Sequence, residues 1–430
     1  MRLTIPRLFL VLMAMLVGTG VHAQQTAREE IAQNPFLSGS NHLDYDNYPA
    51  TEPLTKAPKG YEPFYMSHYG RHGARWLLGD GEYMESIEIL RKAKAQGKIT
   101  NKGNEVLAQL EKFYPCTIKR LGDLTTVGER QHHGIGRRMA EHFPEIFKHK
   151  GVKIDARSTV VIRCILSMEA ECEELMAANP TARIHHDVSE AFQYYLNAPW
   201  QQVLRRQNRW EPQARLREHW TKPDRLMGVL FNDPQWVQDS IKAGSFMRHF
   251  FNLASNMQSH EDGPDLLPLF TPEELYDQWR IRNVDWYLGY GHAPQTAGVM
   301  PFSQANLLKN IIQTADTVTQ VQATLRFGHE VCVMPLACLL ELGTCGARVE
   351  NLEQLDREWR NYNIFPMACN VQLVFYRPKK GKAGDILVKA LLNEREQTLP
   401  VPTTQHPYYR WADLRAYYLK KLADFEAAHP

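Results

Sequence analysis

Two arginines stand close to a histidine in the segment Arg71-His72-Gly73-Ala74-Arg75. A histidine can attack phosphorus when one ring nitrogen is held by a hydrogen bond and the other keeps its lone pair. Guanidinium groups donate forked hydrogen bonds that phosphate oxygens accept in pairs. The segment therefore predicts a phosphate site with His72 as the nucleophile, although a short segment of this kind also occurs in solvated loops.

The residues before this segment indicate how it is positioned. Residues 63–66 are apolar or aromatic and predict a short buried strand, so Arg71 and His72 fall where that strand ends. Ligands of open α/β sheets bind at the carboxyl ends of the strands. We therefore expect the histidine and its arginines to lie at that edge of a sheet.

The segment resembles the Arg-His-Gly-x-Arg signature of the histidine acid phosphatases, a branch of the histidine phosphatase superfamily. Three further segments match that family in the expected order. Residues 124–136 are similar to its Leu-Thr-x-x-Gly helix start, 157–167 to the stretch with its third phosphate-binding arginine, and 325–330 to its late histidine element. These matches run from about Ser67 to Pro335, most of the mature chain.

The resemblance implies a role for each matching residue. Arg163 takes the place of the third phosphate-binding arginine, and Arg157 that of a supporting residue. His329 is implied as a further phosphate ligand, and Glu330 as the proton donor to the leaving group. The late element departs from the family, because aspartate is the commoner residue after the histidine and Val331 fills the place of glutamate in the His-Ala-Glu branch.

Two other features bear on the resemblance. Trp76 lies where many members have a proline, so the loop after the site is expected to have a different shape. The Tyr69-Gly70 pair before the site, together with the late His-Glu element, looks most like the bacterial relatives of multiple inositol polyphosphate phosphatases.

The family resemblance implies a fold and an activity. The expected fold is α/β, with a phosphoglycerate-mutase-like central sheet, helices on both faces and an inserted, mainly helical cap. The expected activity is hydrolysis of a small-molecule phosphomonoester through a phosphohistidine, on inositol polyphosphates such as phytate or on sugar phosphates, without a cofactor. A phosphomutase or phosphotransferase of the same superfamily and a non-catalytic phosphate-binding protein are the alternatives.

The first residues predict export. Arg2 and Arg7 precede an apolar run of about ten residues, 8–17, and small residues at Val21 and Ala23 suit cleavage before Gln24. The run is shorter than the roughly 20 residues that span a bilayer. We interpret residues 1–23 as a signal peptide and expect a periplasmic or secreted protein with no membrane attachment after its removal.

The composition narrows the partners and cofactors. A formal charge of +2 over 430 residues gives no reason to expect a nucleic acid as a partner. The sequence does not determine the oligomeric state. Seven cysteines permit disulfides in an exported chain, although Cys332, Cys338 and Cys345 also suit a buried helix. No CxxC pair or histidine cluster has convincing zinc spacing, so we expect no metal.

Hydrophobic patterning divides the chain into an irregular N-terminal arm, an α/β domain and a cap. Strands alternating with helices argue for a parallel sheet, whereas the long interval before residue 315 has few strand patterns. The predicted ranges are 24–60 for the arm, 61–179 and 316–430 for the phosphatase domain, and 180–315 for the cap, with strands near 61–67, 153–162, 321–328, 370–376 and 385–391.

Two polar clusters in the cap range have alternative interpretations. Basic residues from 204 to 225 fit a solvated helix face, or a positive pocket mouth that attracts a polyanion. His185-His186-Asp187 suggests metal binding, but adjacent histidines point in different directions on most backbones. A structural role is the favoured interpretation of that pair.

Overall fold

The computed structural model describes residues 25–47, 49–197, 204, 210–318, 320–380 and 383–429. The predicted signal peptide, 1–23, and the basic residues at 205, 206 and 209 lie outside the described residues. No helix in the described ranges combines the length and the apolar character needed to cross a bilayer.

A central sheet of eight strands runs through the described part of the chain. Its strands lie in the order β3-β2-β4-β1-β5-β6-β7, and the short β8 pairs with β6. The first four in this order are mutually parallel, and the others are antiparallel to their neighbours. The strands are β1 Tyr61–Arg71, β2 Lys153–Ser158, β3 Arg183–Val188, β4 Ala323–Gly328, β5 Asn370–Pro378, β6 Leu387–Leu392, β7 Arg395–Gln397 and β8 Tyr409–Arg410.

The helices of the described residues are numbered here in chain order. They are α1 Ala27–Gln33, α2 Gly81–Ala95, α3 Asn101–Phe113, α4 Thr126–His142, α5 Pro144–Phe147, α6 Ile162–Ala178, α7 Gln193–Leu196, α8 Trp210–Trp220, α9 Asp224–Leu230, α10 Pro234–Ser240, α11 Ala243–Asn256, α12 Pro272–Tyr290, α13 Ala305–Asp316, α14 Glu330–Leu339 and α15 Trp411–Ala428.

Helices cover both faces of the sheet, as expected from the sequence. On one face α4, α5 and α6 bury side chains such as Ile135 and Met168 against Leu325. On the other, α13, α14 and α15 pack against residues such as Val371 and Phe375. A parallel sheet needs this double cover, because its strands are apolar on both sides.

A separate apolar core forms the helical cap, and its membership corrects the predicted ranges. Helices α2 and α3 contribute Leu90 and Leu107 to the same core as α9 to α12, although the sequence analysis assigned both helices to the phosphatase domain. Their hydrophobic periodicity predicts a buried face but does not identify the partner that covers it. The cap core is therefore built from separate stretches of chain.

The boundaries of the arm and of the cap also differ from the expected ones. Thr26 and Glu29 form a capping box that starts α1, and Ile31 and Leu37 of the arm are buried in the cap core, so this part of 24–60 is regular. Strand β3 lies inside the predicted cap range of 180–315. It was missed because an edge strand with exposed polar side chains has no apolar alternation.

Polar side chains on β1, α4 and α6 meet in a buried cluster below the site. His132 Nδ1 lies 2.7 Å from Glu171 Oε1, and His68 Nε2 lies 3.9 Å from Glu171 Oε2. All three side chains are fully buried. The cluster therefore ties together elements that carry three of the four family-like segments.

The cysteines form no disulfide in the described residues, and the adjacent histidines His185 and His186 contact different carboxylates. All seven cysteines lie in described residues, no disulfide joins any of them there, and six of them are buried. His185 faces Asp155 at 3.2 Å, whereas His186 faces Glu169 at 3.6 Å. Because adjacent strand residues point to opposite faces, the two imidazoles do not converge on one ligand.

Candidate active site

The carboxyl ends of three parallel strands meet at one edge of the sheet. Arg71 at the end of β1 is opposite Gly328 at the end of β4, and Ser158 at the end of β2 is opposite Phe327. The residues that follow these strands include His72, His329 and Thr159. The register therefore brings together segments that are up to about 260 residues apart in the sequence.

His72 is held in one orientation by backbone groups. Its Nδ1 lies 2.9 Å from the carbonyl oxygen of Gly73. Because a carbonyl only accepts, Nδ1 donates its hydrogen and Nε2 keeps the lone pair. The main chain is fixed as well, since His72 N donates to Gly328 O and His72 O accepts from Ala368 N, both at 3.0 Å.

Burial keeps this imidazole neutral. Desolvation, with Arg71 and Arg163 nearby, holds the pKa of His72 well below its usual 6.5, against the opposing effect of Glu330. A neutral imidazole with a free Nε2 lone pair is the form that can act as a nucleophile. The tautomer and the protonation state thus both suit attack through Nε2.

Three arginines surround the histidine with donors that lack partners. Arg71 donates from Nη1 to Phe365 O at 2.9 Å and its Nε lies 3.1 Å from Glu330 Oε2, but its Nη2 is buried and makes no hydrogen bond within the described residues. The same holds for Nε of Arg75 and Nε of Arg163. Buried donors without acceptors are costly, and a bound phosphate would supply the acceptors.

Glu330 faces His72 from the first turn of α14. Its Oε2 lies 3.6 Å from His72 Nε2 and 3.1 Å from Arg71 Nε. Burial alone raises the pKa of this carboxyl, but Arg71, His72 and Arg75 outweigh it and hold the pKa well below its usual value. The side chain is therefore ionised when the site holds no anion.

His329 completes the group and is neutral too. Its ring lies 5.6 Å from that of His72 between centroids, and its Nε2 lies 3.4 Å from Thr159 Oγ1. Burial lowers its pKa to about 4, with a further contribution from the three arginines against Glu330. The structure thus brings together all six residues that the sequence predicted: Arg71, His72, Arg75, Arg163, His329 and Glu330.

Several side chains that position the site were not predicted from the sequence. Gly73 N donates to Ser167 Oγ at 3.1 Å, and Ala74 N donates to Gln131 Oε1 at 2.9 Å. Ser167 lies one turn after Arg163 on α6, so helical spacing is a usable signal for it. Asn256 of the cap donates to Arg75 O at 3.0 Å, and nothing in the local sequence marks it.

Two glycines allow the start of α4 to approach the site loop. A Cβ on Gly73 would lie 2.4 Å from Gly128 O, and a Cβ on Gly128 would lie 2.3 Å from Ala74 O. Thr125 caps the helix by accepting from Gly128 N, and its hydroxyl donates to Ala74 O at 3.1 Å. The loop and the helix are therefore in backbone contact.

Comparison with known proteins identifies the fold around this site. The chain matches none of the family models and none of the curated proteins. Among solved structures it is similar to the multiple inositol polyphosphate phosphatase of Bifidobacterium longum, with 18% identity and a TM-score of 0.67 over 89% of this chain and 97% of that chain. This chain has the histidine acid phosphatase fold.

Two further solved structures agree with this result. The phytase from D. castellii has 13% identity and a TM-score of 0.67, covering 89% of this chain and 85% of that chain. The phytase of Hafnia alvei has 14% identity and a TM-score of 0.52, covering 85% and 98%. The fold implied by the sequence resemblance is confirmed.

Within this histidine acid phosphatase fold, one group of side chains has metal-ligand geometry. One ligand atom from each of His72, His329 and Glu330 can be chosen so that all lie within 4.8 Å of one another. The arginines that depress the pKa values of these residues also disfavour a cation there. That the protein uses no metal stays a prediction.

Basic residues of the cap are largely paired in this fold. Arg217 contacts Asp285 at 3.0 Å, Lys222 faces Asp277 at 3.6 Å, and Arg225 binds Glu274. Arg157, expected to be a supporting residue, contacts Asp155 at 3.0 Å and Tyr195 at 3.2 Å. For the described part of the basic cluster, these ion pairs favour the interpretation as a solvated helix face over the interpretation as a positively charged pocket mouth.

The glycine contact generates a prediction with a matched control on the same helix. Gly128→Ala places a methyl group against the backbone of Ala74, so we expect a loss of about 3 kcal/mol in stability, the upper end for overpacking, and a large fall in kcat/KM. The methyl group introduced by Gly134→Ala would contact only the guanidinium group of Arg138, the end of a flexible side chain that can move. Thermal unfolding and phosphatase assays of both variants test this, and equal behaviour of the two would contradict it.

Proposed function

We propose that this protein hydrolyses phosphomonoesters in two steps through a phosphohistidine at His72. The proposal rests on one observation. His72 Nδ1 is bound to a backbone carbonyl, so the Nε2 lone pair faces a space with Glu330 on one side. Arg71 Nη2, Arg75 Nε and Arg163 Nε are buried there and make no hydrogen bond within the described residues. A phosphate group fits that charge and those hydrogen-bonding needs.

In the first step His72 Nε2 attacks phosphorus in line with the ester oxygen. The N–P bond forms as the P–O bond to the alcohol breaks, and the arginines and His329 hold the three equatorial oxygens. Fixed positive groups stabilise the spread charge of such a transition state, which is how most catalysis of phosphoryl transfer is achieved. A poor alkoxide leaving group needs a proton, and Glu330 is the acid nearest to Nε2.

In the second step water displaces the histidine and releases phosphate. Glu330, ionised after donating its proton, takes a proton from the attacking water. A bound phosphate dianion offsets the field of the arginines and raises the pKa of Glu330 from its low value. Substrate binding thus prepares the carboxyl to act as an acid.

The neighbours in fold supply the first candidate substrates. The Bifidobacterium longum enzyme was solved with inositol hexasulfate and with phosphate, and the Hafnia alvei phytase with tartrate. Inositol polyphosphates such as phytate, and sugar phosphates, are therefore the first substrates to test. We place this activity in the periplasm or outside the cell, on the basis of the predicted signal peptide.

The alternatives predict different outcomes. A phosphotransferase must bind an acceptor alcohol and exclude water, and no described residue at the site shows such a role. A phosphate-binding protein has no use for a nucleophile and an acid beside the phosphate ligands. Release of inorganic phosphate from an aryl phosphate separates hydrolysis from both alternatives.

Replacing the nucleophile tests the proposal directly. His72→Ala should lower kcat for p-nitrophenyl phosphate by roughly 10³-fold or more, because the covalent route is lost. His185→Ala, an exposed histidine of β3, is the control and should retain activity. Near wild-type turnover by the His72 variant would show that the central assignment is wrong.

The role of Glu330 is tested by the dependence on the leaving group. Glu330→Gln keeps the shape of the side chain and removes the acid, so hydrolysis of alkyl phosphates should fall by about 10²–10⁴. Phosphorylation of His72 by p-nitrophenyl phosphate needs little protonation and should be much less affected, as a pre-steady-state burst measures. Equal losses for both leaving groups would assign Glu330 to positioning instead.

The depressed pKa of His72 predicts the direction of the pH dependence. A histidine with a pKa of 6.5 would lose about twenty-fivefold of its neutral form between pH 7 and pH 5. Because burial lowers the pKa of His72, more of it stays neutral as the pH falls. After correction for ionisation of the substrate, kcat/KM for p-nitrophenyl phosphate should therefore fall by much less than twenty-fivefold as the pH is lowered from 7 to 5, and a twenty-fivefold fall would refute this.

Metal independence is tested by chelation. Three arginines supply the positive charge at the site, so activity should survive exhaustive treatment with EDTA. Elemental analysis of the treated protein confirms that metal has been removed. A loss of activity that zinc or magnesium restores would assign the cluster of His72, His329 and Glu330 to a metal ion.

A further inference from the structure

Large apolar side chains are exposed on the chain segments next to Arg163 of the candidate site. Ten such side chains are exposed among the described residues, and six of them lie on three chain segments next to Arg163. Their exposed fractions run from 39% to 67%. We call these six residues the apolar rim: Leu78, Ile118, Leu121, Val160, Ile162 and Leu166.

Gly122 connects these segments. Arg163 Nη1 donates to Gly122 O at 3.3 Å, and Gly122 N donates to Leu77 O at 2.9 Å. A Cβ placed on Gly122 would lie 3.2 Å from Leu78 Cδ2 and 3.5 Å from Arg163 Nη1. Leu121 adjoins this glycine, so the rim begins directly beside a guanidinium that we assign to phosphate.

The start of α6 carries the other half of the rim. Ile162 precedes Arg163, and Leu166 lies four residues after Ile162 on the same helix face. Val160 follows Thr159, whose hydroxyl lies 3.4 Å from His329 Nε2. Apolar side chains therefore flank the phosphate ligands on both sides of Arg163 in the sequence.

The charges near the rim do not match a polyanion. Arg120 pairs with Asp123 at 3.1 Å, and Lys119 is the other basic residue of that loop. Arg217, Lys222 and Arg225 of the cap contact carboxylates, as shown above. Clustered exposure of apolar side chains is unfavourable in water and often marks a binding surface for an apolar group.

We propose that the site prefers phosphomonoesters whose alcohol carries an extended apolar chain, which the apolar rim contacts while Arg71, Arg75 and Arg163 hold the phosphate. This rests on the proposed function and names the class of its leaving group. The reaction is unchanged, since water enters and the long-chain alcohol and inorganic phosphate leave. The apolar rim would contact one side of the alkyl chain only. Each methylene of that chain is therefore expected to contribute only part of the free energy of full transfer out of water.

A homologous series of n-alkyl phosphates, from ethyl to octyl below micelle formation, measures this preference. A fully buried methylene favours binding by about fourfold. With about half of that gain, kcat/KM should rise roughly twofold per methylene, or about sixtyfold from ethyl to octyl phosphate. Phytate is assayed beside the series as the polyanionic alternative.

Substitution of the rim tests the contact itself. The double variant Ile162→Gln and Leu166→Gln should lower the ratio of kcat/KM for octyl phosphate to that for ethyl phosphate by about tenfold. The control is the variant Met176→Gln, an exposed apolar residue near the end of the same helix, which should keep the wild-type ratio. Circular dichroism verifies that both variants are folded.

Each outcome bears on one of the two proposals. A flat series, a higher kcat/KM for phytate without dependence on chain length, or an unchanged ratio in the rim variant would overturn this inference and leave the hydrolase intact. Absence of hydrolysis of every monoester, ethyl phosphate included, would instead refute the proposed function.

Discussion

The backbone contact between Gly73 and Gly128 is the constraint on which the site depends. A Cβ added to either glycine would lie within 2.4 Å of a carbonyl oxygen of the other segment. The contact lets the capped start of α4 abut the loop after β1, where Gln131 and Ser167 then bind two successive amides of that loop. The directions of Arg71, His72 and Arg75 follow from this packing.

Burial determines the protonation of the site. Desolvation lowers the pKa of both histidines, whereas the arginines reverse its effect on Glu330 and keep that carboxyl ionised. A cluster of buried guanidinium donors with few acceptors is costly. In the function proposed above, a phosphate group would relieve that cost, and these donors would be the source of the affinity for a dianion.

Much of this arrangement was predictable from the sequence. The apolar runs identified five strands of the sheet, and the family-like segments named six residues that the structure places close together. The partner of α2 and α3 was not predictable, since periodicity shows a buried face without naming what covers it. Asn256, 181 residues from the Arg75 carbonyl that it binds, became visible only in three dimensions.

Covalent catalysis through Nε2 of His72 is the central claim, because every role given to the surrounding groups follows from it. The most direct measurement is to quench turnover of p-nitrophenyl phosphate with base, digest the protein and locate the phosphate by mass spectrometry and ³¹P NMR. The account predicts Nε2-phosphohistidine at position 72, since Nδ1 is occupied by the Gly73 carbonyl. Phosphate on Nδ1, on another residue, or on none during active turnover would contradict it.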